Sequence, residues 1–200
     1  MSDTDRQKWQ ERYLNGAYED RLHPSVYLEA CIGDLNLPAR RALDLACGAG
    51  RNALYLARNG FHVDAVDVAP EALRRAQLAA DKADMTTIRW IEHDFDYPLP
   101  EILTDYGLIL MVRYLNLDLL RAVTRKLLPG GYMLAEVHLR TEESVAGPSS
   151  DRYRAEAGEL KAAAEAAGLA IQEYSEGLSV DPDGEPVALA RLLASYPGTP

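Results

Sequence analysis

Arg41-Ala42-Leu43-Asp44-Leu45-Ala46-Cys47-Gly48-Ala49-Gly50 opens as a short apolar run and ends in two glycines. Arg41 to Ala46 has the length of a buried strand and is too short for a helix. The glycines break the run at once. Asn52 to Asn59 then places Leu54, Leu56 and Ala57 with helical spacing, and Gly60 stops it. Strand, glycine turn and helix in that order begin an alternating β–α pattern.

The alternation continues downstream. His62 to Asp67 reads as a second strand. Pro70 stands at the start of the helix Glu71 to Ala83, where its missing N–H is harmless. Ile88 to Ile91 is a third strand. Gly107 to Val112 is uniformly apolar, as a strand buried on both faces should be. Leu117 to Leu128 reads as a helix ending before Pro129-Gly130-Gly131, and Tyr132 to His138 as a fifth strand. Past Thr141 the pattern changes. Glu142 to Asp151 is rich in Ser, Gly and Pro and reads as a surface loop. Arg154 to Ala167 is an alanine-rich helix closed by Gly168. Leu169 to Ser175 and Val187 to Tyr196 are two strands joined through Asp181-Pro182-Asp183-Gly184, hence antiparallel. The expected fold is α/β: a Rossmann-like, doubly wound, seven-stranded mixed sheet with an antiparallel last strand and helices on both faces. One domain is expected over 1–200. It divides into an N-terminal helical lid region (1–38), a cofactor-binding core (39–140), and a C-terminal helix and strand pair (141–200).

Bulk properties narrow the partners. The chain has 200 residues, enough for one sizeable core. No apolar run approaches a membrane span, and Met1 to Arg12 is too polar for a secretory signal. Cys31 and Cys47 are the two cysteines; two free thiols in a reducing cytoplasm is the simpler reading than a crosslink through the glycine loop. The net charge of −10 opposes binding to phosphate backbones and anionic membranes. The expected partner is a small molecule, with the chain a monomer or homodimer. No metal ligand set is read.

Glycines between a strand and a helix let the backbone approach a ligand closely, and free helix N–H groups favour a negative group there. Asp67, seventeen residues after Gly50, ends the second strand and is placed to accept hydrogen bonds from both ribose hydroxyls of an adenosine. A dinucleotide would want G-x-G-x-x-G; here the third position is Ala53, which that fingerprint tolerates. Asp44 separates the cases. A carboxylate beside a pyrophosphate is repulsive, whereas S-adenosylmethionine (SAM) has no pyrophosphate and carries an ammonium that Asp44 or the loop carbonyls can accept. A nicotinamide-dependent oxidoreductase is therefore the lesser alternative. A SAM-binding module without catalysis is another, because it would keep Asp67 and lose only acceptor residues.

ALDLACGAGRNALYLARNG resembles the first motif of class I SAM-dependent methyltransferases, and VDAVDVAPEAL the second, with the ribose acid at Asp67 followed by Val68. IEHDFDYPLP resembles the third, which implies that Asp94 meets the adenine amino group. DYGLILMVRYLN and LLPGGYMLAEV resemble the fourth and fifth. Within that superfamily the chain is most similar to small tellurite-resistance and thiopurine-methyltransferase-like enzymes, through GRNALYLARNGFHVDAVD, HPSVYL, WQERYLNGAY and the tail. Ala46 departs from the motif, which prefers glycine.

The expected cofactor contacts are Asp44, Ala46, Gly48, Gly50, Arg51, Asn52, Asp67, Val68, Asp94, Phe95, Trp9 and Arg12. Several have plainer roles open to them. Asn52 can cap a helix, Arg51 can be a solvated charge, Asp96 competes with Asp94, and Phe95 can fill the core. Trp9, Arg12 and Tyr13 share a helical face, either packing on the domain or forming a lid with Arg12 on the cofactor carboxylate. Arg113 and Tyr114 follow the fourth strand, and His138 and Arg140 the fifth, at the edge where ligands bind such sheets. His138, Arg140 and Tyr114 are the candidate catalytic residues, with His138 first if a general base is needed.

Overall fold

The computed structural model of the chain describes residues 3–198. Its strands are β1 (Arg41–Leu45), β2 (His62–Asp67), β3 (Ile88–Glu92), β4 (Tyr106–Val112), β5 (Leu127–His138), β6 (Ala170–Val180) and β7 (Pro186–Ser195). Its α-helices are α1 (Asp3–Leu14), α2 (Val26–Ile32), α3 (Arg51–Arg58), α4 (Pro70–Lys82), α5 (Leu117–Val123) and α6 (Glu159–Ala166). The strands form one sheet in the order β3-β2-β1-β4-β5-β7-β6. The first five pair in parallel, and β7 runs antiparallel to both β5 and β6. This is the expected seven-stranded mixed sheet. Among the described residues no helix is long and apolar enough to cross a membrane.

Alternation along the strands builds the two layers. Leu108 and Leu110 of β4 face Leu28 of α2 and Ala53 and Leu56 of α3. Ile109 and Met111 face the opposite layer, with Leu119, Leu120 and Val123 of α5 and Leu160 of α6. The strand order reverses between β1 and β4, so a crevice opens at their carboxyl ends, where such sheets bind ligands.

Three local expectations change. Strict alternation fails between β3 and β4: residues 93–105 contain turns and no helix. Pro98 and Pro100 both lack the N–H a helix interior requires. The helix expected over Leu117–Leu128 ends at Val123, followed by a 3₁₀ turn, because Leu127 is drawn into β5 opposite Tyr106. The helix expected from Arg154 begins only at Glu159. Ala155 is held extended beside β5, its N–H donating to His138 O at 2.7 Å while its carbonyl accepts from Arg140 N at 2.9 Å. The turn α2 was not foreseen. The surface loop at 142–151 is anchored: Ala146 N donates to Pro186 O at 2.7 Å, and Val145 packs against the core.

Candidate active site

The glycine loop leaves β1 through Ala46, whose φ of +54° lies in the left-handed region that favours glycine. The motif's preference for glycine at this position thus has a backbone cause. Gly48 and Gly50 also have positive φ, +56° and +80°. Their lack of a side chain serves protein packing directly. A Cβ on Gly50 would lie 2.6 Å from the Trp90 ring and 2.9 Å from the Ala76 methyl, and one on Gly48 would collide with the Tyr13 hydroxyl.

Asp67 organises the loop. One carboxylate oxygen accepts from Gly48 N at 2.8 Å and the other from Ala69 N at 2.9 Å. Burial raises its pKa, while those amides pull it back. A carboxylate oxygen accepts more than one hydrogen bond, so both retain capacity for hydroxyl donors. Val68 is buried beside it. Asp44 is 1% exposed, and its Oδ2 has no hydrogen-bond partner among the described residues. Burial pushes its pKa up to about 7, against the pull of the Arg51 cation and with the push of Asp67. A buried carboxylate oxygen without a donor at the mouth of a glycine loop fits a cationic ligand group and rejects a pyrophosphate.

Helix α1 closes over the loop. Tyr13 is buried with Ala69 and Ala72, Trp9 packs beside it, and Gln10 accepts from Glu71 N at 2.9 Å at the start of α4. Arg75 of α4 donates to the carbonyls of Tyr13 and Ala17. Arg12 is exposed and stacks 5.1 Å from the Trp9 ring and 5.9 Å from Tyr18. The residue that reaches Gly48 is Tyr13, a residue read in sequence only as part of the α1 face. Its spacing with Trp9 was the available signal.

The adenine side is assembled less tightly. Asp94 is half-buried and its Oδ1 accepts from Asp96 N at 3.0 Å, an Asx turn. Phe95 is buried, 5.5 Å from the Tyr114 ring and 6.0 Å from His93. Tyr114 therefore packs on Phe95, and its hydroxyl accepts from Asn116 Nδ2 at 3.3 Å. Asn52 is buried and accepts from Ser25 N at 2.9 Å, so it ties α3 to the start of α2.

At the end of β5, His138 is buried with no partner for Nδ1 among the described residues. Burial, with the cations Arg113, Arg154 and Arg21 nearby, pushes its pKa down to about 3. It is uncharged at neutral pH and a weak proton acceptor. Arg140 is exposed and ion-paired with Asp151 and Glu156, directed to the surface chain rather than to the crevice. Sequence reading passed over Glu136. It is 2% exposed, bound by Arg113 at 3.0 Å and Arg191 at 2.9 Å. A lone acid inside the apolar run Tyr132 to His138 was its signal.

Residues 42–131 match the family model described as a methyltransferase domain. The chain is 30% identical over 129 residues to the uncharacterized methyltransferase sll0829 of Synechocystis sp., covering 62% of this chain and 58% of that protein. It is 36% identical over 70 residues to the glycine N-methyltransferase of Oryctolagus cuniculus, 30% of this chain and 24% of that one. The chain thus spans little more than half of the first of these curated relatives and a quarter of the second. The solved structure of TehB from Haemophilus influenzae superposes with a TM-score of 0.71 at 22% identity, over 94% of this chain and 67% of that one. The sheet order and the glycine loop agree with that likeness to a methyltransferase domain over residues 42–131.

Proposed function

We propose that the chain transfers a methyl group from SAM to a small acceptor. The observation that carries this reading is the buried, unpartnered Asp44 Oδ2 beneath the glycine loop, next to Asp67 at the end of β2. Asp44 receives the cofactor's ammonium, Asp67 its ribose hydroxyls, and Asp94 its adenine amino group. The cofactor supplies a methyl group on a sulfonium, which is already an activated leaving group. The protein's contribution is then alignment and exclusion of water. Tyr13 and α1 cover the loop side. His138 and Tyr114 border the acceptor side.

A nucleophile without a proton needs no general base, which suits a His138 that holds protons poorly. The acceptor is a small soft nucleophile: a thiol in its thiolate form, or a selenium or tellurium oxyanion. The sequence resemblance to small tellurite-resistance methyltransferases and the cations beyond β4 support this class. The net charge of −10 disfavours nucleic acid.

Calorimetry with SAM, S-adenosylhomocysteine and NAD tests the cofactor, and labelled-methyl transfer to thiols, selenite and tellurite tests the acceptor. Binding of the first two ligands but not NAD, with label on at least one acceptor, is expected. Preferential NAD binding overturns the cofactor reading. Labelling of none of these acceptors, with transfer to a large metabolite or protein, overturns the acceptor class alone.

A further inference from the structure

Beside the site lies a cavity of about 220 Å³ between α2, the ends of β4 and β5, and the β6–β7 turn. Three arginines and two carboxylates line it: Arg51, Arg113, Arg191, Glu136 and Asp181. Arg113 and Arg191 divide the two oxygens of Glu136 between them, and Arg113 also reaches Asp181. That leaves one cation in excess. Arg51 is the excess cation: its hydrogen bond goes to a neutral group, the His23 carbonyl, at 2.9 Å. Burial, chiefly, and the neighbouring cations Arg113 and Arg21 work against its charge, and Glu136 and Asp181 offset them only in part. A second deficit lies on Arg113, whose Nη1 is buried and has no hydrogen-bond partner among the described residues. The Arg113 backbone also sits at φ +59°, a left-handed conformation uncommon for any residue with a Cβ.

A half-buried cation that no carboxylate hydrogen-bonds and an unfilled buried donor each carry a cost, and one small anion would relieve both. We propose that this cavity binds a single carboxylate of a small molecule between Arg51 and Arg113, and that this molecule is the methyl acceptor. The second clause rests on the methyl-transfer reading above; the first does not. Arg51 follows Gly50 directly, so the cavity adjoins the glycine loop. A planar guanidinium matches a carboxylate in two parallel hydrogen bonds, and the volume suits a molecule of a few heavy atoms. Glu136 and Asp181 would repel a second negative charge. The cavity therefore takes one carboxylate, and the thiolate sulfur of the acceptor lies outside it, toward the glycine loop.

The probe is acetate, with acetamide as its neutral counterpart, measured by calorimetry on the protein without cofactor and again with saturating S-adenosylhomocysteine. Acetate is expected to bind, acetamide at least tenfold more weakly, and acetate affinity is expected to survive S-adenosylhomocysteine. Arg113→Met and Arg51→Met are each expected to lose tenfold or more in acetate affinity. Arg51→Met leaves the pairing of Glu136 intact and so separates loss of the site from loss of folding. Equal binding of acetate and acetamide, or unchanged acetate affinity in Arg51→Met, overturns the anion site. Displacement of acetate by S-adenosylhomocysteine but not by 5′-methylthioadenosine, which lacks the carboxylate, overturns it in favour of the cofactor's own carboxylate. For the acceptor clause, mercaptoacetate is expected to be methylated with a KM at least tenfold below that of 2-mercaptoethanol. Acetate binding without methylation of either thiol would leave the anion site standing and sink the thiol acceptor.

Discussion

At the scale of single residues, the bracing of the glycine loop by Asp67 and the ribose contact proposed for it cannot be separated by truncation. Its carboxylate accepts from Gly48 N and Ala69 N, so Asp67→Ala leaves two buried amides without partners. Each unfilled buried donor costs about 1–3 kcal/mol, and the variant should lose roughly 2–6 kcal/mol of stability by denaturant unfolding. SAM affinity should fall tenfold or more in calorimetry, and unchanged affinity would remove Asp67 from the ribose site. Ala46 offers a gain. Its φ of +54° is strained for alanine, so Ala46→Gly is expected to stabilise the protein by about 1 kcal/mol, read as a higher Tm. Asp44 predicts a pH dependence. Its folded carboxyl, pushed up to about 7 from 3.8, holds its proton more tightly than the unfolded one does. Its contribution to stability therefore falls as pH rises from about 4 to about 7. SAM affinity should rise through the same upper limit, because the ammonium favours the ionised form. Asp44→Asn should remove the pH dependence of binding near neutrality; a parent whose affinity is flat from pH 6 to 8 would contradict the assignment.

At the scale of elements, legibility followed the length of the local signal. β4 was readable because a buried parallel strand is a near-continuous apolar run, and α4 because thirteen residues repeat the helical period behind Pro70. The antiparallel end was readable from its turn residues. What failed was set by distant partners. No periodicity in seven residues announces α2; it exists because Ser25 caps it, accepting from Leu28 N at 3.4 Å, and Leu28 is fully buried. Residues 154–158 look helical, but Ala155 is drawn alongside Leu139 just past β5 and residues 157–158 turn into α6. In the site, the glycine loop and Asp67 were legible as a motif. The Arg113–Glu136–Arg191 cluster was not, since its members lie far apart in sequence and meet only across β4, β5 and β7. Helix α1 is the marginal element: most of its described side chains are exposed, and it is held to the domain chiefly through Tyr13, Gln10 and Arg75. Elements with few buried contacts open at low free energy. Amide exchange in residues 6–14 should thus be fast in the free protein and slow on addition of S-adenosylhomocysteine, with α3 changing little. Equal protection with and without ligand would rule out α1 as a lid.

At the scale of the whole molecule, two opposed fields coexist. The chain carries a net charge of −10, yet three arginines surround one cavity on its binding edge. Self-repulsion of a strongly charged chain destabilises the compact state, and salt screens it, with a Debye length of about 10 Å at 0.1 M. The same screening weakens the attraction of an anion to Arg51 and Arg113, though less steeply, since partly buried charges are screened less than exposed ones. Salt should then act with opposite signs on the two properties. Raising sodium chloride from about 0.02 to 0.2 M is expected to increase Tm, because it screens the mutual repulsion behind a net charge of −10. Over the same range acetate affinity is expected to fall, while SAM, a ligand bearing both charges, responds less. Thermal scans and titrations across one salt series read all three. A Tm that falls with salt would mean that the surface ion pairs, such as Arg140 with Asp151 and Glu156, outweigh the net repulsion. An acetate affinity indifferent to salt would mean that the anion is held by neutral donors rather than by the arginines.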